Sequence, residues 1–87
     1  MKEVLMMLLS DCPYCHRANR MLDKLQQENP AYADIPIRRV DEAVEVDFAN
    51  SLDYYYVPTF FVDGVKRMEG VPSEEKLRAV LDAALDA

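Results

Sequence analysis

The sequence predicts one α/β domain over residues 1–87, in which a four-stranded mixed sheet is flanked by three helices. Three observations lead to this fold class. A short apolar run typical of a buried strand comes first, an Asp63-Gly64 pair separates two β-prone segments, and apolar residues recur at helical spacing between and after them. The order is therefore β-α-β-α-β-β-α. Its first three elements form a parallel βαβ unit, and its last two strands form an antiparallel hairpin.

The first strand and the first helix are predicted from the start of the chain. Residues 3–9 are short and continuously apolar after the first residue, which is typical of a strand covered by helices on both faces. A helix is expected to start at Pro13, because proline suits the first helical position, and to end at Asn29-Pro30. Four apolar residues at helical spacing predict its inner face: Ala18, Met21, Leu22 and Leu25.

The middle of the chain predicts a second strand over residues 37–41 and a second helix over residues 41–51. The helix is indicated by apolar residues at a spacing of four, which are Val44, Phe48 and Leu52. After a loop at residues 54–58, strongly β-prone residues predict a third strand over residues 59–62. The Asp-Gly turn then returns the chain as a fourth strand over residues 65–69.

The last helix is expected to start after Ser73. Serine is a favourable N-cap, and Glu74 and Glu75 then lie at the positive end of the helix dipole. Five apolar residues at helical spacing predict its buried face: Leu77, Val80, Leu81, Ala84 and Leu85.

Composition and charge exclude several classes of function. The longest apolar run, residues 4–9, is far shorter than the roughly 20 residues of a membrane span, and no signal peptide is recognised. We therefore expect a cytoplasmic protein without a membrane partner. Sixteen acidic against ten basic residues give a net charge of −6. Nucleic-acid binding needs a basic face, so no nucleic-acid partner is expected.

The two cysteines, Cys12 and Cys15, lie at the junction of the first strand and the first helix. The first N–H groups of a helix are unpaired and its dipole is positive there, so a thiolate at Cys12 is stabilised. Cys15 lies one turn further in, shielded by Pro13 and Tyr14. Cys12 is therefore predicted to be the attacking nucleophile and Cys15 the resolving thiol of a redox-active disulfide.

Other interpretations of the cysteines fit the sequence less well. A structural zinc site needs four ligands, and the chain has two cysteines and one histidine. Cys12 to His16 matches the C-x-x-C-H signature of haem attachment, but no export signal accompanies it. Two inert buried thiols are a further alternative. We expect no bound metal and no bound cofactor, and we regard Asp11, His16 and Arg17 as candidate modulators of the thiols.

Three segments resemble the thioredoxin superfamily. Residues 12–16, Cys-Pro-Tyr-Cys-His, resemble the active site of glutaredoxins, and residues 57–64, Val-Pro-Thr-Phe-Phe-Val-Asp-Gly, resemble the stretch before the last hairpin of the superfamily. Residues 70–77 resemble the glycine-to-helix junction of thioredoxins. The chain is similar to glutaredoxins and to short, glutaredoxin-like thioredoxins with a Cys-Pro-Tyr-Cys site. The resemblance implies the thioredoxin fold and thiol–disulfide oxidoreductase activity.

The resemblance also implies the substrate surface. Pro58 is expected to be cis and to face the Cys12–Cys15 disulfide. A cis Pro58 would let Val57 present its backbone N–H and C=O to an extended substrate. By the same resemblance, Gly70 and Val71 are expected to lie next to Pro58 and, with the aromatic Tyr14, to complete a small recognition surface. Tyr56 is a further candidate modulator.

The residues before Cys12 favour one electron donor over another. Glutaredoxins usually place a lysine there to hold a glutathione carboxylate, but residues 8–11 contain no base, and Asp11 repels such a group. We therefore expect a monomer that reduces protein or small-molecule disulfides, with electrons from NADPH through a thioredoxin reductase rather than from glutathione. The alternatives are a glutathione-dependent glutaredoxin and a dimer that holds an iron–sulfur cluster with the help of glutathione.

Overall fold

The computed structural model describes residues 1–86, and Ala87, the last residue of the predicted domain, lies outside them. Its four strands form one mixed sheet in the order β2-β1-β3-β4. This sheet and its flanking helices confirm the predicted α/β class. The elements in chain order are β1 (Val4–Leu8), α1 (Pro13–Glu28), α2 (Pro30–Ala33), β2 (Ile37–Asp41), α3 (Val46–Asn50), β3 (Thr59–Val62), β4 (Val65–Glu69) and α4 (Glu74–Leu85).

Strand β1 lies in the centre of the sheet and determines where the loops meet. It pairs in parallel with β2 and antiparallel with β3, with Met7 opposite Thr59. The loop that follows β1 and the loop that precedes β3 therefore leave the sheet at the same end. The β3–β4 hairpin turns at Asp63 and Gly64, whose φ angles of 53° and 78° are those a two-residue hairpin turn requires.

The two faces of the sheet are covered unequally. The larger core lies between the sheet and helices α1, α2 and α4, and its fully buried side chains include Met6, Leu22, Phe60 and Leu77. The smaller core lies on the opposite face and consists of Met7, Val40, Ala49 and Phe61. Among the helices of residues 1–86, only the five-residue α3 contributes a buried side chain to it, that of Ala49. Strand β1 sends buried side chains to both faces, which explains its unbroken apolar sequence.

Two helical segments differ from the sequence prediction. The predicted helix over residues 41–51 is wrong at its start, and Val44 is 77% exposed. The Asp41 carboxylate accepts the Ala43 N–H at 2.8 Å, and this local turn delays the helix until Val46. The single-turn helix α2 was not predicted. Its N-cap is Asn29, whose side-chain oxygen accepts the Ala31 N–H at 3.0 Å.

Both long helices follow their predicted starts. Cys12 is the N-cap of α1, and Ser73 is the N-cap of α4, where its hydroxyl accepts the Lys76 N–H at 3.2 Å. Two predicted core residues lie nearer the surface, because Met21 is only half-buried and Leu85 is exposed. Within residues 1–86, no helix has the length and apolar character needed to cross a bilayer.

Candidate active site

Cys12 caps the first helix through its sulfur. Its Sγ accepts the backbone N–H of Cys15 at 3.2 Å, and its carbonyl accepts the His16 N–H at 3.1 Å. The sulfur thus takes the place that a serine or aspartate oxygen occupies at most helix starts. Unpaired N–H groups and the positive end of the helix dipole both stabilise negative charge on this atom. The side chain stays partly exposed, so a partner can reach it.

Cys15 differs from Cys12 in its surroundings. It is only 1% exposed and belongs to the larger core. Burial, and after it the hydrogen bond with Cys12, raise the pKa of its thiol to about 12, against a smaller lowering by the Leu9 backbone. Both cysteines are free thiols. At neutral pH, Cys15 is therefore a protected, neutral thiol beside a more accessible sulfur.

The loop before β3 lies against Cys12. The Cys12 thiol donates to the Val57 carbonyl oxygen across 3.9 Å, a weak sulfur hydrogen bond. The Val57–Pro58 peptide bond is cis. The Pro58 carbonyl accepts the Gly70 N–H at 2.9 Å, which ties the loop to the end of β4. The predicted site residues Cys12, Cys15, Val57, Pro58 and Gly70 therefore lie along one connected set of contacts.

Glu69 is a residue at this site that the sequence reasoning missed. Its carboxylate accepts the backbone N–H groups of Tyr55 and Tyr56, the second at 2.8 Å, and binds the Lys66 ammonium at 2.8 Å. Lys66 and the two N–H groups lower the pKa of Glu69 to about 2. No local motif marks this role. The one usable signal was the β3–β4 hairpin, which places Glu69 opposite Thr59 and thus near the preceding loop.

The three consecutive tyrosines divide between core and surface. Tyr54 packs with the smaller core, meets the Phe61 ring edge-on at 6.3 Å, and donates its hydroxyl to the Glu42 carboxylate at 2.8 Å. Burial raises the pKa of the Tyr54 hydroxyl, and the hydrogen bond with the Glu42 carboxylate raises it further. In contrast, Tyr55 and Tyr56 are 84% and 70% exposed. Two aromatic rings of the loop that contacts Cys12 are therefore exposed to solvent.

The remaining predicted site residues lie on the surface around this set. Tyr14 and Val71 are exposed large side chains. The Arg17 guanidinium lies 5.4 Å from the centre of the Tyr14 ring, so its charge is directed to that ring. His16 Nε2 lies 2.7 Å from the Ser10 carbonyl oxygen and ties the start of α1 to the preceding loop. Asp11, directly before Cys12, is exposed.

Comparison with known proteins identifies the family. A family profile described as a thioredoxin domain matches residues 2–82. The chain belongs to the thioredoxin family. A curated relative, a probable thioredoxin of Methanothermobacter thermautotrophicus, is 33% identical over 67 residues, which are 76% of this chain and 75% of that protein. The protein is accordingly a thiol–disulfide oxidoreductase of the thioredoxin family.

Solved structures share the thioredoxin fold of this chain. A malarial protein superposes with a TM-score of 0.74 at 20% identity, over 98% of both chains. A periplasmic thioredoxin of Paracoccus pantotrophus gives 0.63 at 18% identity, over 98% of this chain and 96% of that one. A thioredoxin of Arabidopsis thaliana in the oxidised state gives 0.62 at 21% identity, over 99% and 76%. At these identities the likeness concerns the fold.

Among residues 1–86, no group of three His, Cys, Asp or Glu side chains could hold a metal ion. What the site offers is a pair of sulfurs in unequal surroundings, one capping a helix and one buried. A dithiol of this kind can exchange two electrons with a disulfide that reaches the exposed sulfur.

Proposed function

We propose that the protein reduces disulfides of partner proteins through a cycle in which Cys12 is the nucleophile and Cys15 the resolving thiol. The observation that carries this assignment is the hydrogen bond of 3.2 Å from the Cys15 N–H to Cys12 Sγ, with Cys12 partly exposed and Cys15 buried. Only the sulfur that is reachable and capped by the helix suits a first attack. Small-molecule disulfides that reach Cys12 are substrates of the same chemistry.

In the first step, the Cys12 thiolate attacks one sulfur of the partner's disulfide. The partner's S–S bond breaks, a new bond joins Cys12 to the attacked sulfur, and the other sulfur leaves as a thiolate that takes up a proton. The Val57 backbone, next to Cys12 at 3.9 Å, is suited to pair with an extended segment of the partner. Such pairing would orient the partner's disulfide toward the capped sulfur.

In the second step, Cys15 loses its proton and attacks Cys12 Sγ. The bond between Cys12 and the partner's sulfur breaks, and that sulfur leaves as a thiolate that takes up the proton released by Cys15. Cys12 and Cys15 become joined. Two electrons have then passed from the pair to the partner. The raised pKa of Cys15 keeps this thiol protonated at neutral pH, so it must give up its proton within the mixed disulfide before it can attack.

We further propose that a reductase of the thioredoxin reductase type, supplied with NADPH, returns the two electrons. Residues 8–11 contain no basic side chain that could hold a glutathione carboxylate, and exposed Asp11 next to Cys12 opposes one. The overall charge of −6 adds to this repulsion. In this proposal, the protein works as a monomer without an iron–sulfur cluster.

The decisive experiment offers the oxidised protein two donor systems, each with NADPH and insulin as the disulfide substrate. We expect NADPH oxidation with thioredoxin reductase and little with glutathione and glutathione reductase. Cys12→Ser should abolish turnover, and Cys15→Ser should accumulate mixed disulfides visible by mass spectrometry. Turnover by Cys12→Ser would overturn the assignment of roles, and turnover with glutathione alone would identify a glutaredoxin activity instead. Visible absorbance of anaerobically purified protein would reveal a cluster-binding dimer.

A further inference from the structure

We propose that Glu69 is a positioning residue: its carboxylate fixes Tyr55 and Tyr56, which directly precede the Val57 carbonyl that contacts Cys12, and thereby sets the affinity for protein disulfides. The inference rests on the proposed function and adds a specificity-determining residue to it. Glu69 touches neither sulfur, so it acts through the loop that contacts Cys12.

The contacts of Glu69 converge on the loop backbone. Oε2 accepts two consecutive N–H groups, those of Tyr55 and Tyr56, while Oε1 binds the Lys66 ammonium at 2.8 Å. Hydrogen bonds to an ionised acceptor are stronger than bonds between neutral groups. The Glu69 side chain is only 18% exposed, so water competes weakly for these bonds. One carboxylate therefore satisfies two loop donors and is itself held by a neighbouring base.

Two further hydrogen bonds hold the C-terminal part of the same segment. The Gly70 N–H donates to the Pro58 carbonyl at 2.9 Å, and the Thr59 hydroxyl donates to the Tyr56 carbonyl. Residues 55–58 are thus anchored at both ends, and the Val57 carbonyl between these anchors faces Cys12. Removal of the Glu69 carboxylate would release the anchor at Tyr55 and Tyr56 and leave the others in place.

A fixed backbone makes the two exposed rings useful for recognition. Tyr55 and Tyr56 are 84% and 70% exposed, and tyrosine supplies large contact area at interfaces. A ring on a mobile loop must be ordered when a partner binds, which weakens binding. A ring on an ordered loop avoids that cost. A protein partner covers the two rings, whereas a small disulfide reaches only the sulfur. Loss of Glu69 should therefore weaken the binding of protein disulfides and leave the reaction with small disulfides unchanged.

The test compares Glu69→Ala with wild type in single-turnover reactions of the pre-reduced protein, so that no reductase has to dock. With insulin, we expect the half-saturating concentration to rise about tenfold and the maximal rate to change by less than about twofold, since tenfold corresponds to 1.4 kcal/mol of binding. With bis(2-hydroxyethyl) disulfide, the rate should stay within about twofold. Glu69→Gln keeps an acceptor oxygen and should recover most of the affinity for insulin.

Glu45→Ala is the matched control. Glu45 is also a surface glutamate paired with a base, Arg38 at 3.8 Å, but its side chain makes no cap hydrogen bond to the backbone. Its removal changes the net charge by the same amount as Glu69→Ala. The kinetics with insulin and with the small disulfide should both stay at wild-type values. Amide hydrogen exchange at Tyr55 and Tyr56 should be faster in Glu69→Ala only.

Three results would overturn the inference: unchanged kinetics in Glu69→Ala, equal losses with insulin and with the small disulfide, or equal losses in Glu45→Ala. Failure of wild type to reduce either disulfide would instead refute the proposed function. The exchange rates of the Tyr55 and Tyr56 amides would still report whether Glu69 orders the loop.

Discussion

The backbone N–H of Cys15 donates to the sulfur of Cys12 over 3.2 Å, so the two cysteines are joined by a hydrogen bond before any disulfide forms. This contact exists because Cys12 is the N-cap of α1 and Cys15 lies three residues into that helix. The helix start therefore supplies both the stabilising donor and the short distance between the two thiols. Their unequal burial then gives them different reactivity.

The two thiols should be alkylated at very different rates. Burial, together with the hydrogen bond to Cys12, raises the pKa of Cys15 from 9.0 to about 12. This shift reduces its thiolate fraction about 1,000-fold, since each pKa unit is a factor of ten. We expect iodoacetamide at pH 8 to modify Cys12 first, as measured by peptide mass mapping of the reduced protein. The Cys12→Ala variant should react slowly. Equal labelling of both residues would contradict this prediction.

Glu69 should contribute to stability at neutral pH and lose that contribution in acid. Its pKa is lowered from 4.5 to about 2 in the folded protein, first by Lys66 and then by the two loop N–H groups. The unfolded chain therefore takes up a proton at a higher pH than the folded one, and the stabilisation falls as pH drops from about 4.5 to about 2. Urea denaturation of wild type and Glu69→Gln should show a difference at pH 7 that shrinks between pH 4 and pH 2.5. A difference independent of pH would refute this.

Tyr54→Phe should show how much of the stability contributed by Tyr54 comes from its hydroxyl and how much from its ring. The ring packing against Phe61 remains, while the 2.8 Å bond to the Glu42 carboxylate is lost. The free energy of unfolding should fall by about 1.5–3 kcal/mol, the net contribution of one hydrogen bond to a charged acceptor. Chemical denaturation measures this loss. A loss as large as that of Tyr54→Ala would show that the hydroxyl carries the whole contribution of the side chain.

Phe60→Ala should be the most damaging of these substitutions. Phe60 is fully buried in the larger core and lies on β3, which pairs with both β1 and β4. Truncation of a buried phenylalanine leaves a cavity and costs about 3–5 kcal/mol. Thermal unfolding followed by far-ultraviolet circular dichroism gives the size of the loss. Exposed Val44→Ala, measured in parallel, should change stability by less than about 0.5 kcal/mol.

Elements governed by local chemistry were predictable from sequence. The bounds of β2, β3 and β4 agree with the prediction, because β-prone residues and the Asp63-Gly64 turn determine them locally. The start of α1 follows from Pro13 and the start of α4 from Ser73 for the same reason. The predicted helix at Val44 was wrong because the Asp41 side chain forms a competing turn, and α2 is too short to show a helical period.

Features that depend on tertiary contacts were not predictable. Glu69 and Tyr55 are 14 residues apart, and only the pairing of β3 with β4 brings them together. The division of the three tyrosines likewise depends on which one lies above Phe61. Nothing in a run of identical residues distinguishes Tyr54 from its two neighbours. The sequence therefore pointed to the sulfurs and, through the family resemblance, to Val57, Pro58 and Gly70. It did not point to Glu69, whose carboxylate holds the same loop.

The strand order β2-β1-β3-β4 leaves β2 and β4 with one unpaired edge each. Each of these edge strands has two exposed basic side chains, Arg38 and Arg39 on β2 and Lys66 and Arg67 on β4. A strand of another molecule that paired with either edge would bury these charged side chains next to its own backbone. Because this burial is unfavourable, it opposes the growth of a continuous intermolecular sheet. The same four side chains thus protect a small protein with two open edges from aggregation.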